Sequence, residues 1–110
     1  MTTPLPGAKV RGSETGRPIM ALLDLIGRRW SLRILWELRS EPLTFRGLQR
    51  SCDTLSPTVL NTRLRELRDA SIVEHDAAGY RLTPLGRDLI LALAPLHAWA
   101  DRWAENQPAD

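Results

Sequence analysis

Apolar side chains recur every three or four residues from residue 18 onward, which is the spacing of one face of a helix. The pattern predicts a first helix over residues 18–26 that ends at Gly27, in the left-handed position that glycine adopts without strain. A second helix is predicted over residues 30–39. A very short strand at residues 43–44 and a third helix over residues 45–52 follow.

The best-defined helix is predicted over residues 57–70, after the start signal Ser56-Pro57. Serine is favoured at the N-cap, and proline is favoured at the first helical position. Leu60, Leu64 and Leu67 give this helix one apolar stripe. Its opposite side carries short polar side chains and an arginine, rather than the Glu/Lys mixture of an ordinary solvated face. These residues are Thr58, Asn61, Thr62 and Arg65.

The period changes to alternation at residues 72–75 and 80–82, and the short link between them predicts a β-hairpin. Thr83-Pro84 then opens a long helix to about residue 106, with a bend expected at Pro95. Helices followed by a hairpin predict a mainly α fold with a small β-hairpin, the winged helix-turn-helix. In this fold the later helix of the pair enters the major groove of double-stranded DNA.

The chain of 110 residues has enough apolar material for one modest core and no room for a second domain. Residues 1–16 are rich in Pro, Gly, Thr and Ser, so we expect a flexible N-terminal arm. The domain is expected over residues 17–106, followed by a tail at residues 107–110.

Charge is distributed unevenly along the chain, although the formal net charge is only +2. Residues 28–68 hold nine arginines against four acids, a net charge of +5, whereas residues 69–110 carry −4. Guanidinium groups pair well with phosphate and with guanine edges. The central segment is therefore expected to face a polyanion, the alternative being an arginine bias set by genome composition.

Several classes of function are disfavoured by what the sequence lacks. Cys52 is the only cysteine, so there is no internal disulfide, and its place on an apolar stripe favours a small core residue over a sensor. His75 and His97 are too isolated for a metal site. No membrane span, signal peptide, cofactor motif or catalytic motif is found, so we expect a cytoplasmic protein that is not an enzyme.

Five stretches of the sequence resemble the HxlR-type regulators, which are small MarR-like winged helix proteins of bacteria and archaea. They read LLDLIGRRWSL at residues 22–32, PLTF at 42–45, LSP at 55–57, RLREL at 63–67 and YRLTPLG at 80–86. The resemblance implies a bacterial repressor or activator, of which we favour the repressor. It also implies a homodimer, paired largely through the terminal helices, on a pseudo-palindromic operator with half-sites about 34 to 36 Å apart.

The expected DNA contacts combine the residue patterns with this resemblance. Arg29 and Arg46 occupy helix starts at which the family has basic residues, and Arg81 is expected to touch the DNA backbone. Arg63 and Arg68 have local ion pairs with Glu66 and Asp69 as an alternative role. The expected contacts are Arg29, Arg46, Ser56, Thr58, Asn61, Thr62, Arg63, Arg65 and Arg81.

The sequence departs from the family pattern at three positions. Arg17 stands where many relatives have a cysteine used for thiol or aldehyde sensing, so that sensing chemistry is not expected here. Thr58 replaces a frequent lysine, which puts the usual operator preference in doubt. Asp76 lies near the tip of a short hairpin, where relatives have a longer wing with arginine.

Tryptophan is common in this chain, and it suggests either a dimer seam or a pocket for a small, flat aromatic effector. We favour the seam, because Trp99 and Trp103 lie four residues apart on the last helix. The residues assigned to it are Ile19, Leu22, Leu93, Leu96, Trp99 and Trp103. The rival hypothesis is a winged helix that acts as a protein-interaction module without specific DNA binding.

Overall fold

The computed structural model describes residues 3–8 and 16–108 of the chain. Within these residues, five helices are combined with a two-stranded antiparallel sheet. The elements are α1 (Pro18–Ile26), α2 (Ser31–Glu37), α3 (Phe45–Ser51), α4 (Pro57–Asp69), β1 (Val73–Asp76), β2 (Gly79–Leu82) and α5 (Pro84–Glu105). The predicted fold class, a mainly helical domain with a small β-hairpin, is confirmed.

The predicted left-handed conformation of Gly27 is wrong. Gly27 has φ −76° and ψ −10°, and its N–H still donates to the Leu23 carbonyl at 2.9 Å. The positive φ falls instead at Trp30, with φ 78°, directly before α2. Packing of the Trp30 ring against the core holds this unfavourable backbone conformation in place. As a result, α2 begins at Ser31 and is shorter than predicted.

The hairpin has the register Val73 to Leu82 and closes at the pair of Asp76 and Gly79. Each strand reaches one residue closer to the turn than predicted. The strand predicted at residues 43–44 is reduced to a single bridge between Leu43 and Tyr80. Gly79 is required at this point, because its φ is 121° and a Cβ would lie 2.5 Å from the Leu43 carbonyl oxygen.

The hydrophobic core lies where α2, α3 and α4 meet the hairpin. Cys52 is fully buried in it, as expected for a small core residue. The fully buried side chains of the core are Ile34, Leu35, Leu48, Cys52, Leu60, Leu64, Leu67 and Leu82. The core therefore fixes α4 firmly, with one of its sides left outward.

The two ends of the chain attach differently to this core. At the N-terminal end, Pro4 is buried and the Thr3 hydroxyl donates to the Asp69 carboxylate at 2.9 Å. Residues 1, 2 and 9–15 of the predicted arm, and residues 109–110 of the predicted tail, lie outside the described residues. The predicted domain limits at residues 17 and 106 stay predictions. At the other end, Leu89 and Ile90 of α5 pack against the core, whereas most side chains beyond them are exposed.

Candidate nucleic-acid interface

α4 places its apolar and polar side chains on opposite sides. The core side consists of Leu60, Leu64 and Leu67, and the outer side consists of Thr58, Asn61, Thr62 and Arg65. Positions three, four and seven residues apart share one face of a helix, so these four polar residues form a single strip. The Thr62 hydroxyl donates to the Thr58 carbonyl at 2.9 Å, so its hydrogen is engaged by the backbone of the same helix.

The turn between α3 and α4 is held by Gln49. The side-chain amide of Gln49 donates to the Leu55 carbonyl at 2.9 Å. The backbone carbonyl of Gln49 accepts the Thr54 N–H at 2.9 Å. Asp53 and Thr54 both have positive φ, at 58° and 59°, and such backbone conformations need support from their surroundings. The sequence reasoning missed Gln49, whose only signal was a polar residue of α3 facing the turn.

Ser56 occupies the predicted N-cap position of α4, but its side chain makes no capping hydrogen bond. Its carbonyl accepts the Leu60 N–H at 3.0 Å, so the helix still begins in the expected place. The Ser56 side chain is exposed, at the end of the polar strip. Its hydroxyl is therefore available to an external ligand.

Glu66 anchors α4 to the loop between α1 and α2. It is 2% exposed, and one of its oxygens accepts from Arg63 at 2.9 Å while the other pairs with Arg28. Arg63 Nε also donates to the Arg29 carbonyl at 2.8 Å, and Arg28 lies 3.6 Å from Asp24. The predicted pair of Arg63 and Glu66 is confirmed. The sequence reasoning missed the wider cluster, although Glu66 lies between two leucines of the buried stripe.

Ion pairs within the described part of the chain engage three of the nine arginines of residues 28–68. Glu66 forms ion pairs with Arg28 and Arg63, and Arg33 forms ion pairs with Glu37 and Asp53. Among the described residues, no acidic partner is found for the other arginines of this segment. These are Arg29, Arg39, Arg46, Arg50, Arg65 and Arg68. The segment therefore keeps most of its positive charge for an external partner.

Arg46 lies in the first turn of α3, as predicted, whereas Arg29 lies in the loop two residues before α2 begins. Arg46 is exposed at the second position of α3, behind a Thr44 side chain that caps this helix by accepting the Gly47 N–H at 3.0 Å. Arg29 is exposed in the loop before α2, with its guanidinium 6.0 Å from the centre of the Trp30 ring. Both cations can thus reach a ligand outside the fold.

Arg81 on the hairpin is paired within the hairpin itself. Its Nε lies 2.8 Å from the Glu74 carboxylate, and its Nη1 pairs with Asp76. Hydrogen bonding to Glu74 raises the pKa of Arg81, which is therefore fully charged but compensated by two acids. The hairpin tip is accordingly not a cationic wing.

Comparison with known proteins places this geometry among transcription regulators. The profile of HxlR-like helix-turn-helix proteins matches residues 25–108. The chain belongs to the HxlR-like helix-turn-helix family. An uncharacterized HTH-type transcriptional regulator of Mycobacterium tuberculosis is 34% identical over 102 residues, which cover 86% of this chain and 61% of that protein. This chain thus spans less than two thirds of the mycobacterial relative.

Solved structures of HxlR and MarR regulators share the fold. Quinone-bound YodB from Bacillus subtilis superposes with a TM-score of 0.73 at 31% identity, covering 76% of this chain and 96% of YodB. A regulator of the MarR family from Enterococcus faecalis gives 0.72 at 27% identity, covering 87% and 94%. The suspected family is thereby confirmed. The curated relatives, YodB among them, are named as HTH-type transcriptional regulators, in agreement with the expectation of a regulator.

Cys52 differs from the sensing cysteine that the family resemblance implies elsewhere in the chain. It is fully buried, and burial raises the pKa of its thiol, so the reactive thiolate is disfavoured at neutral pH. Arg17, the residue at the expected sensor position, is exposed before α1. Cys52 is therefore poorly suited to thiol sensing.

The residues predicted to form a dimer seam or a pocket leave apolar surface on α1 and α5. Trp99 and Trp103 are 51% and 56% exposed, and their rings stack with centroids 6.1 Å apart. Ile19 and Leu96 are also exposed, whereas Leu22 and Leu93 are half-buried. These exposed apolar side chains are candidates for burial against a partner surface.

The two histidines make ring contacts rather than a metal cluster. His75 stacks on Tyr80, and His97 stacks on Trp36. Within residues 3–8 and 16–108, no group of three metal-binding side chains comes together. In the same part of the chain, no helix has both the length and the apolar character needed to cross a membrane.

Proposed function

We propose that this HxlR regulator binds double-stranded DNA sequence-specifically, with α4 in the major groove. The observation that carries the proposal is the outer strip of α4, where Thr58, Asn61 and Arg65 are exposed opposite a fully buried leucine stripe. A major groove about 12 Å wide admits one helix with such short or forked polar side chains. Arg65 has no ion pair among the described residues that would compete with a base.

Phosphate contacts are proposed to supply the affinity, and α4 the choice of sequence. Arg29 and Arg46 suit the phosphate role, because both are exposed, one in the loop before α2 and the other in the first turn of α3. Arg63 and Arg81 are weaker candidates than the sequence suggested, since Glu66 binds one and Glu74 the other. We assign to Arg63 the orientation of α4, through its bonds to Glu66 and to the Arg29 carbonyl.

We propose that the active form is a homodimer joined by the exposed apolar faces of α1 and α5. Two copies of α4 would then read a pseudo-palindromic operator with half-sites about 34 to 36 Å apart. Trp99 and Trp103 provide the large apolar surface that a stable seam requires. Repression follows most simply, because a bound dimer covers DNA that transcription must use.

An apolar effector is the third part of the proposal. A cavity of about 370 Å³ lies between α1, α5 and the N-terminal residues, and its lining includes Ala21, Leu22 and Leu89. YodB has been solved with a quinone bound, which supports small aromatic compounds as a class to test. We expect saturating benzoquinone to lower operator affinity and Leu89→Trp, which fills the cavity, to abolish the response. Unchanged affinity of the wild type would remove the effector.

Selection of bound duplexes from a random DNA pool, followed by mobility-shift titration, tests the DNA-binding proposal. Specific complexes are typically 10³-fold or more tighter than non-specific ones, so the selected duplex should compete strongly against random DNA. Equal affinity for selected and random duplex at moderate salt would contradict it. The protein-interaction module would then be the better hypothesis, with the acidic residues 69–110 as its surface.

A further inference from the structure

We propose that the cleft between the second half of α4 and strand β1 binds one phosphate of the DNA backbone, through Arg68 and His75, with the base-reading Arg65 at its edge. This inference rests on the DNA binding proposed above and adds two contacts to it. The cleft has a volume of about 470 Å³. Its lining residues are Arg65, Arg68, Asp69, Val73, Glu74 and His75.

The charges in this cleft are unevenly engaged. Glu74 already pairs with Arg81 at 2.8 Å, and Asp69 accepts the Thr3 hydroxyl at 2.9 Å. Arg65 and Arg68, by contrast, are exposed and have no ion pair among the described residues. Arg81 thus compensates the charge of Glu74 from outside the cleft, whereas the neutral Thr3 hydroxyl leaves the charge of Asp69 in place. The two guanidinium groups therefore exceed the remaining acid of the cleft by one positive charge. An anion with several acceptor oxygens fits this arrangement.

His75 lies at the edge of the cleft on the neighbouring strand. Its ring stacks on Tyr80 with centroids 4.0 Å apart and an interplanar angle of 5°. This stacking fixes the plane of the imidazole, so that a ring N–H can donate to a phosphate oxygen without further ordering. A prepositioned donor loses little side-chain entropy when it binds.

The position of the cleft points to DNA rather than to a free anion. Arg65 belongs both to the outer strip of α4 and to the cleft, so the cleft adjoins the side of α4 assigned to the major groove. A backbone strand must run along each edge of that groove. At the hairpin tip, Arg81 is compensated by Glu74 and Asp76. The uncompensated positive charge on this side therefore lies at the base of the hairpin, where a strand leaving the groove passes.

The test uses the selected duplex in a series of variants, each with one phosphate replaced by a neutral methylphosphonate. Wild-type protein should lose about tenfold in affinity at one phosphate beside the half-site. Arg68→Ala should bind the unmodified duplex about tenfold more weakly and lower the slope of log K against log salt by about 1. A methylphosphonate at that one phosphate should no longer lower the affinity of Arg68→Ala, whereas replacements at the other phosphates should lower it as in the wild type. For His75→Ala, the loss of affinity at that phosphate should be smaller than for the wild type.

Arg87→Ala is the control, because it removes an equal charge from an exposed position near the start of α5, outside the lining of the cleft and far along the helix from Trp99 and Trp103. It should keep the full methylphosphonate pattern. If Arg68→Ala keeps that pattern as well, the cleft inference is wrong while specific DNA binding stands. If the wild type does not prefer the selected duplex, the proposed function itself fails. Competition by inorganic phosphate at constant ionic strength would also overturn the inference, by indicating a site for the free anion.

Discussion

α4 and α5 begin with the same kind of signal, a hydroxyl residue followed by proline, but they end in opposite situations. α4 buries three leucines and Glu66, and exposes a polar strip. α5 has 22 residues, of which only Gly86 is fully buried, and it exposes Leu91, Leu96 and two tryptophans. The apolar face of α4 is buried within its own chain. By contrast, α5 keeps large apolar side chains that the described part of the chain leaves exposed.

The difference shows what kind of partner each helix lacks. The region around α4 has arginines without acidic partners among the described residues, which suits a polyanion. The second half of α5 has large apolar side chains in water, which suits another apolar surface and most simply a second α5. Regularly spaced leucines occur in both helices, so periodicity alone does not distinguish these roles.

The largest expected effect concerns the polar anchor of α4. Glu66→Ala leaves Arg63 without its carboxylate in a largely buried cluster and should lower the free energy of unfolding by about 3 kcal/mol. Urea denaturation at fixed protein concentration measures this change. Glu105→Ala, at the exposed end of α5, is the matched control and should stay within about 0.5 kcal/mol of wild type. Equal losses of stability from the two substitutions would contradict the role of Glu66 as a buried anchor of α4.

Next in size is the loss of the proposed seam on α5. Trp99→Ala or Trp103→Ala should weaken dimerisation by about 2 kcal/mol, roughly thirtyfold, because large aromatic side chains dominate such interfaces. Analytical ultracentrifugation across a concentration series gives the dissociation constant. Asp101→Ala changes the same helix on another side and should leave the dimer intact. A wild-type protein that sediments as a monomer would refute the assignment of α5.

A smaller difference in the free energy of unfolding is expected between substitutions at the N-cap residues of α5 and α4. The Thr83 hydroxyl accepts the Gly86 N–H at 3.0 Å, so Thr83→Ala should lower the free energy of unfolding by about 1 kcal/mol. Ser56→Ala should change it by less than about 0.5 kcal/mol, because Ser56 makes no capping bond. Thermal unfolding of both variants separates the two cases. A loss from Ser56→Ala as large as that from Thr83→Ala would mean that the serine caps α4 after all.

Comparison of these starts indicates how far the sequence could lead. Ser-Pro and Thr-Pro correctly predicted where both helices begin, since N-cap and proline preferences are local. The use of each hydroxyl was not predictable, because it depends on the φ and ψ that the preceding turn imposes. Gly27 and Trp30 give the same lesson. The favoured glycine stays right-handed, and the positive φ falls at a tryptophan that packs against the core.

The site was predicted to a similar extent. The outer strip of α4 followed from periodicity, as did the separation of its leucines. The cluster around Glu66 and the support from Gln49 were missed, because both join residues that are distant in sequence or separated by a turn. The pairing of Arg63 with Glu66 could be anticipated because the two residues lie three apart on one helix, whereas the pairing of Arg81 with Glu74 and Asp76 is revealed only by the fold.

The smallest expected effect concerns the hairpin tip. Asp76→Asn removes one of the two acids that compensate Arg81, and should strengthen DNA binding by a few tenths of a kcal/mol with a slightly steeper salt dependence. Fluorescence anisotropy at several salt concentrations resolves a change of this size. Asp101→Asn removes an equal charge from α5 and serves as control. Weaker binding by Asp76→Asn would indicate that the acid itself supports the DNA-bound hairpin.

The central claim is that the outer strip of α4 reads base sequence. The most direct test is the ratio of affinities for the selected and a random duplex, measured for wild type, Arg65→Ala and the charge-matched Arg87→Ala at one salt concentration. Arg65→Ala should lose about 1 to 3 kcal/mol on the selected duplex and much less on random DNA, so that its ratio falls. Arg87→Ala should keep the wild-type ratio. An Arg65→Ala protein with an unchanged ratio would contradict the account.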